Sequence, residues 1–426
     1  MGTKIRLTAA AKYRLLRDIS YKIRDTLDLK VILNHLLDTV HQILPYDAAG
    51  IFVLNREIFR TPYHRDRTMI AGIAERGFDK RSADLDPMLM EGKGIIGAVI
   101  QSGESVVIPD VRLDTRYVAG RAATRSEIAV PIIRDGRPFG ALNLESDRLK
   151  AFGKNDLEVL QFVADAASIS IEKSILHTEI LEKKRIDDQL QIAAELQTRL
   201  LPAGPPQVKG YSIAGRCTPA YEVGGDYFDY VRLDNGRLGV VVADVSGNGI
   251  AAALLMSSFR ALLIPAARSG ISPAALMARM NVLLPEFARK RDFITAFYGI
   301  LDPGEGTFTY SNCGQNFPFL VRSDGRIERL TQSGPSLIIL PDAAYETGTV
   351  VLREGDLLVL YTDGVVEVFN RYHQEFGIEQ LEEVARRSSG GQADLVLREI
   401  VAATRSFSGP EASQDDATLV VIKRER

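Results

Sequence analysis

Five carboxylates in the C-terminal half of the sequence stand where chemistry, rather than solvation, would put them. Asp226 follows the Gly-Gly pair of EVGGDYFDY. Asp244 closes the apolar run LGVVVADV just before Ser-Gly-Asn-Gly. Asp363 ends DLLVLYTDG, and Asp415 and Asp416 sit together before ATLVVI. A carboxylate at a strand end can be held rigidly and aimed into a shared cleft. Hard oxygen donors of this kind suit Mg2+ or Mn2+ and not zinc. A single Asp-Gly is usually just a turn, but turns alone account poorly for several such ends, each beside a β-branched run.

Positioning these groups requires many strands. Beyond Gly210 the runs VRLDNGRLGVVVADV, FITAFYGILD, GTFTYSNCG and DLLVLYTDG lie between turn signals, and helical segments such as GIAAALLMSSFRALLIPAA and the stretch from Pro273 to Ala288 interrupt them. The N-terminal half is built differently. Leu29, Ile32, Leu33, Leu36, Leu37, Val40 and Leu44 recur at helical spacing, and AAGIFVL reads as a strand. GKGIIGAVIQSGESVVIPDV reads as a helix followed by a short strand. EIAVPII and FGALNLE are strands joined by RDGRP, whose Asp-Gly is a hairpin signal, and an amphipathic helix begins near Asn155. This order predicts an α+β domain with an antiparallel sheet.

From Ile171 to Leu201 the helical pattern runs on without Gly or Pro. Ile169, Leu176 and Ile180 form one stripe. After a slip at EKKR, Ile186, Leu190, Ala193, Leu196 and Leu200 form another, until Pro202, Pro205 and Pro206 break the pattern. Such a stripe would lie exposed on a lone chain, so a homodimer paired along this helix and the N-terminal domain is expected.

A length of 426 residues accommodates two domains. A net charge of −3 gives no electrostatic case for binding nucleic acid or an anionic membrane. No uninterrupted apolar run reaches the roughly 18 residues of a membrane span, and MGTKIRLTAAAKYRLLRDIS has no signal-peptide core. With Cys217 and Cys313 the only cysteines, a disulfide framework is not expected and a reducing cytoplasm is.

Residues 22–175 resemble a GAF sensor domain through LDLKVILNHLLDTV, GKGIIGAVIQSGESVVIPDV, the IAVPI…GALNLES hairpin and FGKNDLEVLQFVADAASISIE. GAF domains often bind small ligands under a loop, and many serve to dimerise. This one has no cysteine for a thioether-linked bilin. His35 and His41 on the first helix and His64 in a loop read as solvated or packed side chains, not haem or metal ligands. Arg112, Arg116, Arg121 and Arg125 of VRLDTRYVAGRAATR form either a solvated basic loop or a lid over an anionic ligand.

EVGGDYFDY, ADVSGNGIAAALLM, TAFYGILD, LYTDGVVEVFN and QDDATLVVI, in this order, resemble the SpoIIE/RsbU branch of the metal-dependent PPM-type protein phosphatases. ELQTRLLPAGPP resembles the Gln-x-x-Leu-Leu-Pro element leading into it. The two resemblances imply a GAF-like sensor at 22–175, a helical signalling linker at 176–203 and an α-β-β-α phosphatase sandwich at 204–426. They imply two Mn2+ or Mg2+ ions, with Asp226 and Asp244 as the catalytic metal carboxylates and the Val245 backbone carbonyl as a further ligand. Asp363 and Asp415 complete the coordination, Asp416 replacing Asp415 if the register is one residue off. Gly247 and Gly249 allow a tight turn beside the site, while Glu222 and Asp229 support it. The implied substrates are serine and threonine phosphoproteins, in this branch typically phosphorylated anti-sigma-factor antagonists of bacterial partner-switching pathways. Asn248 and Gln315 depart from the branch, where His or Lys and His are more usual.

Three other readings compete. GGDYF is one residue from the GGDEF motif of cyclic-dinucleotide cyclases, but Tyr227 removes a carboxylate there, and Asp-Asn-Gly and a strand come next instead of a helix. A cysteine phosphatase needs Arg six positions beyond its Cys, where Val223 and Phe319 stand. A sensor scaffold with a phosphatase-like binding domain would be expected to lack a metal carboxylate, and all are present.

Overall fold

The computed structural model describes residues 28–54, 70–79, 92–409 and 415–425; His64 lies outside them. The chain divides between Lys184 and Arg185 into two compact units.

In the first unit, helix α1 (Leu29–Ile43) starts at Asp28, whose carboxylate accepts the Val31 N–H at 3.1 Å, an N-cap. Strands β1 (Ala48–Leu54), β2 (Ile70–Arg76), β3 (Val106–Ile108), β4 (Ser126–Arg134) and β5 (Arg137–Ser146) form one antiparallel sheet in the order β2-β1-β5-β4-β3. Helix α2 (Gly94–Ser102) lies between β2 and β3 in sequence. The β4–β5 hairpin turns through Asp135 and Gly136, both at positive φ, as its Asp-Gly pair requires. Strand alternation splits the apolar residues: Ile51, Val53, Val130 and Leu142 pack with α1, whereas Phe52, Ala129 and Ala141 pack with Ile96 and Val99 of α2.

Helix α3 (Lys154–Thr198) is continuous for 45 residues, and its buried residues all lie at or before Ile171. It stops three residues short of Leu201, because Pro202 disfavours helical backbone just before it; Arg199 and Leu200 close instead as single turns on Leu196 and Gln197.

The second unit is a sandwich of two five-stranded antiparallel sheets. One comprises β7 (Tyr227–Arg232), β8 (Leu238–Val245), β9 (Ile294–Asp302), β10 (Thr307–Cys313) and β13 (Gly348–Val351). The other comprises β6 (Tyr211–Thr218), β11 (Phe319–Val321), β12 (Ile327–Arg329), β14 (Leu357–Tyr361) and β15 (Ala417–Arg424). Phe228, Val240, Val242, Phe297, Leu358, Leu360, Val420 and Ile422 fill the space between the sheets. Helices α4 (Gly249–Arg268) and α5 (Pro273–Leu283) cover the first sheet, and α6 (Gly377–Ser388) and α7 (Ala393–Ser408) the second. This is the α-β-β-α order that the resemblance implied.

Helix α4 is long and apolar enough by composition to cross a bilayer, although Arg260 interrupts its sequence. Leu255, Met256, Phe259 and Leu263 are buried in the core beside β7 and β8, and Arg260 forms an ion pair with Asp229 at 3.3 Å. Phe259 is fully buried and meets Tyr227 edge-on, ring centroids 6.0 Å apart. Phe259→Ala should destabilise this unit by roughly 3–5 kcal/mol, read as a lower urea midpoint with an unchanged slope.

Candidate metal centre

The two-residue period of a strand decides which side chains reach the site. Along β8, Val240 and Val242 face the opposite sheet, while Val241, Ala243 and Val245 face the helices. Asp244 therefore continues the inward row at the strand end. Asp226 stands two residues before inward-facing Phe228. Thr362 stands two after Leu360, and Thr418 and Asp416 precede Val420 in the same register. Because β7 pairs antiparallel with β8, and β14 with β15, all these rows run out at one end of the sandwich.

Asp226 is nearly fully buried. Its Oδ2 accepts the Thr362 hydroxyl at 2.8 Å, and its Oδ1 has no hydrogen-bond partner. Burial first, then the neighbouring Asp244, pushes its carboxyl well above the usual range. Asp244 is pushed up to about 7 by burial and then by Asp363, Asp415 and Asp416. Burial, followed by Asp415, also raises Asp363. Negative charge here is crowded, and the donor set is all hard oxygen, so the residues fit divalent cations. Among the described residues no three such side chains close into a ready ligand shell.

Asp416 does something different from its neighbour. Its Oδ1 accepts the Ala220 N–H at 2.8 Å, and its Oδ2 accepts those of Gly225 at 2.6 Å and Asp226 at 3.3 Å. It anchors the Gly-Gly-Asp loop. Asp415 is exposed and accepts the N–H of Asp416 at 2.8 Å. Both glycines of that loop are dictated by space: a Cβ on Gly224 would fall inside the Asp416 carboxylate, and one on Gly225 would lie 2.5 Å from the Val245 carbonyl oxygen. That carbonyl, the proposed backbone ligand, is thus beside Asp226 in the loop.

Gly247 and Gly249, at φ 88° and 67°, make the turn into α4 that the sequence indicated, and exposed Asn248 precedes the helix without a side-chain cap bond. Glu222 is exposed. Asp229 accepts the Tyr227 hydroxyl and the Tyr230 N–H, each at 2.7 Å, which makes it a packing residue of β7.

Two contributors escape the reading of the sequence. Thr362 orients Asp226. Gln197, in the last turn of α3, donates to the Gly224 carbonyl at 2.6 Å and accepts the Gly224 N–H at 3.1 Å, gripping the loop from outside the sandwich. Gln197 lies within the Gln-x-x-Leu-Leu-Pro element, which is the available signal.

The arrangement defines a class by fold: a two-sheet sandwich between helix layers, with carboxylates gathered at one edge. The fold is that of the SiaA-PP2C domain of Pseudomonas aeruginosa, matched with a TM-score of 0.50 at 19% identity over 57% of this chain and 98% of that one. Residues 234–425 match the family model described as stage II sporulation protein E (SpoIIE), and residues 26–172 match the GAF domain model. The phosphoserine phosphatase RsbU of Bacillus subtilis is 29% identical over 57% of this chain and 72% of its own length. The phosphoserine phosphatase RsbP of the same organism is 28% identical over 34% of this chain and only 37% of its own length. The chain carries a GAF domain followed by a SpoIIE-type PPM phosphatase domain.

Gln315 is buried and spans the two sheets. Its Oε1 accepts the Thr295 hydroxyl at 2.5 Å, its Nε2 donates to the Tyr361 carbonyl at 3.2 Å, and its backbone pairs with Asn312. Gln315→Ala should cost roughly 1–3 kcal/mol by leaving buried groups unpaired, measured by urea unfolding, while Mn2+ affinity by titration changes less than about threefold.

Proposed function

We propose that this chain is a Mn2+- or Mg2+-dependent protein-serine/threonine phosphatase regulated by its GAF domain. Its substrate in this reading is a phosphorylated anti-sigma-factor antagonist of a partner-switching pathway, handled in the cytoplasm. The observation that carries the catalytic part is the crowding of carboxylates around the orphaned Oδ1 of Asp226. Asp226, Asp244, the Val245 carbonyl, Asp363 and Asp415 would hold two ions. Such a pair, when bound, would supply an acidified water as nucleophile and positive charge to stabilise the phosphoryl group in transfer.

The chain's own residues prepare that chemistry. Thr362 fixes the orientation of Asp226, and Asp416 holds the Gly-Gly loop through three backbone N–H groups. With Asp416 so occupied, Asp415 is the better ligand of the pair. The names of RsbU and RsbP support phosphoserine as the substrate group. A purely binding scaffold is disfavoured because every proposed metal carboxylate is present. Asp244→Ala should lower Mn2+-dependent hydrolysis of p-nitrophenyl phosphate by roughly two or more orders of magnitude with unchanged circular dichroism; near-normal turnover would sink the two-ion assignment.

Regulation is proposed to pass through α3, which begins in the GAF domain and ends in the Gln197 grip on Gly224. Ile180, Ile186, Ile192 and Leu196 on this helix are each more than half exposed, which supports pairing of two chains along it. Inserting one residue between Lys183 and Lys184 turns everything beyond by roughly 100° and should change basal turnover strongly. A seven-residue insertion, about two turns, should restore most of it. Equal turnover in both variants would make the helix a passive tether.

A further inference from the structure

The cavity of the N-terminal unit is acidic, the opposite of what an arginine-lidded anion site would need. Arg112 and Arg116 are each paired at 2.7 Å with the aspartate two residues earlier, Asp110 and Asp114. Arg121 pairs with Asp147, and Arg125 donates to backbone carbonyls. The engaged cations favour the solvated basic loop over a lid on an anionic ligand.

Strand register builds the acidic floor. Glu127 of β4 lies directly opposite Glu145 of β5, and Ala129 opposite Asn143. The alternation places all four on the α2 face with Phe52 and Ala141. Glu127, Asn143 and Glu145 are each at most 3% exposed. Like charges directly opposite one another destabilise a strand pair, and buried carboxylates demand a counter-charge. Among the described residues their hydrogen-bond donors are neutral, Asn143 Nδ2 to Glu127 at 2.8 Å and the Thr124 hydroxyl to Glu145 at 2.5 Å, while Arg116 and Arg121, each paired with its own aspartate, act on them through space. Burial, then Glu145, raises the Glu127 carboxyl well above its usual range, and burial pushes Glu145 up to about 7.

A second, independent feature is the Asn143 carbonyl oxygen. It is buried, lines the cavity and has no partner. Its cross-strand neighbours are Gly50 on one side and Ala129 on the other, and neither side chain can donate. The cavity is small, about 40 Å3, with Phe52, Phe78, Ile95 and Tyr117 forming its apolar wall. Such a space admits a charged head and at most a short apolar body, and aromatic faces favour a cation. Among the described residues no side-chain set here converges as a metal shell.

We propose that this cavity binds a small protonated amine: its N–H groups meet Glu127, Glu145 and the Asn143 carbonyl, and its short apolar body lies against Phe52, Ile95 and Tyr117. The assignment rests on the GAF domain being the ligand-sensing part, not on phosphatase chemistry, so the test reads binding alone.

The full-length Asp244→Ala chain, in which turnover plays no part, is titrated calorimetrically with n-butylammonium chloride at about pH 8.5, where a primary amine stays protonated. Sodium butyrate and n-butanol at matched ionic strength serve as comparisons. Saturable heat with the amine alone is expected. Adding Glu127→Gln with Glu145→Gln should abolish that heat and raise the Tm of the ligand-free chain by removing the carboxylate repulsion. Adding Asn143→Leu instead should weaken amine binding at least tenfold. No saturable heat with the amine, an equal response to butyrate or butanol, retained binding in the double Gln variant, or a fall in its ligand-free Tm would each overturn the proposal. The last result would show that the carboxylates share a proton and serve the fold.

Discussion

Repulsion among carboxylates at one end of the C-terminal sandwich is the constraint around which that unit is arranged. Burial and like charge act together on Asp226, Asp244 and Asp363, raising each of them. A fold can hold such groups only on elements that cannot move apart, and here they stand at the ends of strands fixed by ladders and two covering helix layers. The supporting contacts all reduce freedom without supplying positive charge: a hydroxyl on Asp226, three amides on Asp416, an amide side chain across the sheets at Gln315. Neutral donors orient a carboxylate while leaving its charge for something else to meet.

Close packing of backbone against carboxylate explains the glycines as much as turn geometry does. Gly224 and Gly364 both pack on Asp416, one on its side chain and one on its carbonyl oxygen, and Gly225 packs on Val245. Any side chain at these points would push apart the segments that carry Asp226, Asp363 and Asp415. The Gly-Gly-Asp sequence is thus a steric requirement of three converging segments. In the cyclase motif it resembles by letters, the same glycines would have to serve a different surrounding.

Much of this is legible in the sequence, and the failures have physical causes. Strand-end carboxylates are visible because β-branched runs stop at each of them, and the Asp135-Gly136 hairpin because that pair favours positive φ. The choice between Asp415 and Asp416 is not visible, since adjacent residues differ only in which face alternation gives them. Thr362 is hidden for the same reason, lying one position before an aspartate whose chemistry is more conspicuous. Helix α3 ends three residues earlier than its periodicity predicts because the apolar spacing persists to Leu200, whereas Pro202 acts on the backbone preceding it. The arginine loop admits two readings in the sequence, and the signal for the solvated one is there: Asp110 and Asp114 each stand two residues before the arginine they bind. Gln197 belongs to a recognisable element, but its hold on Gly224 is a contact across 27 residues that no local pattern encodes.

The exposed middle of α3 has a thermodynamic consequence of its own. From residue 181 to residue 189 every side chain is exposed, so in a single chain this stretch is held by its backbone hydrogen bonds and by the helix on either side of it. Helices of ordinary composition are marginal in water without a packed face. Amide protons there should therefore trade with solvent sooner than those of the buried turns before Ile171, through openings far smaller than unfolding of either unit. Among the described residues, this joining segment is held in shape by little beyond its own backbone hydrogen bonds.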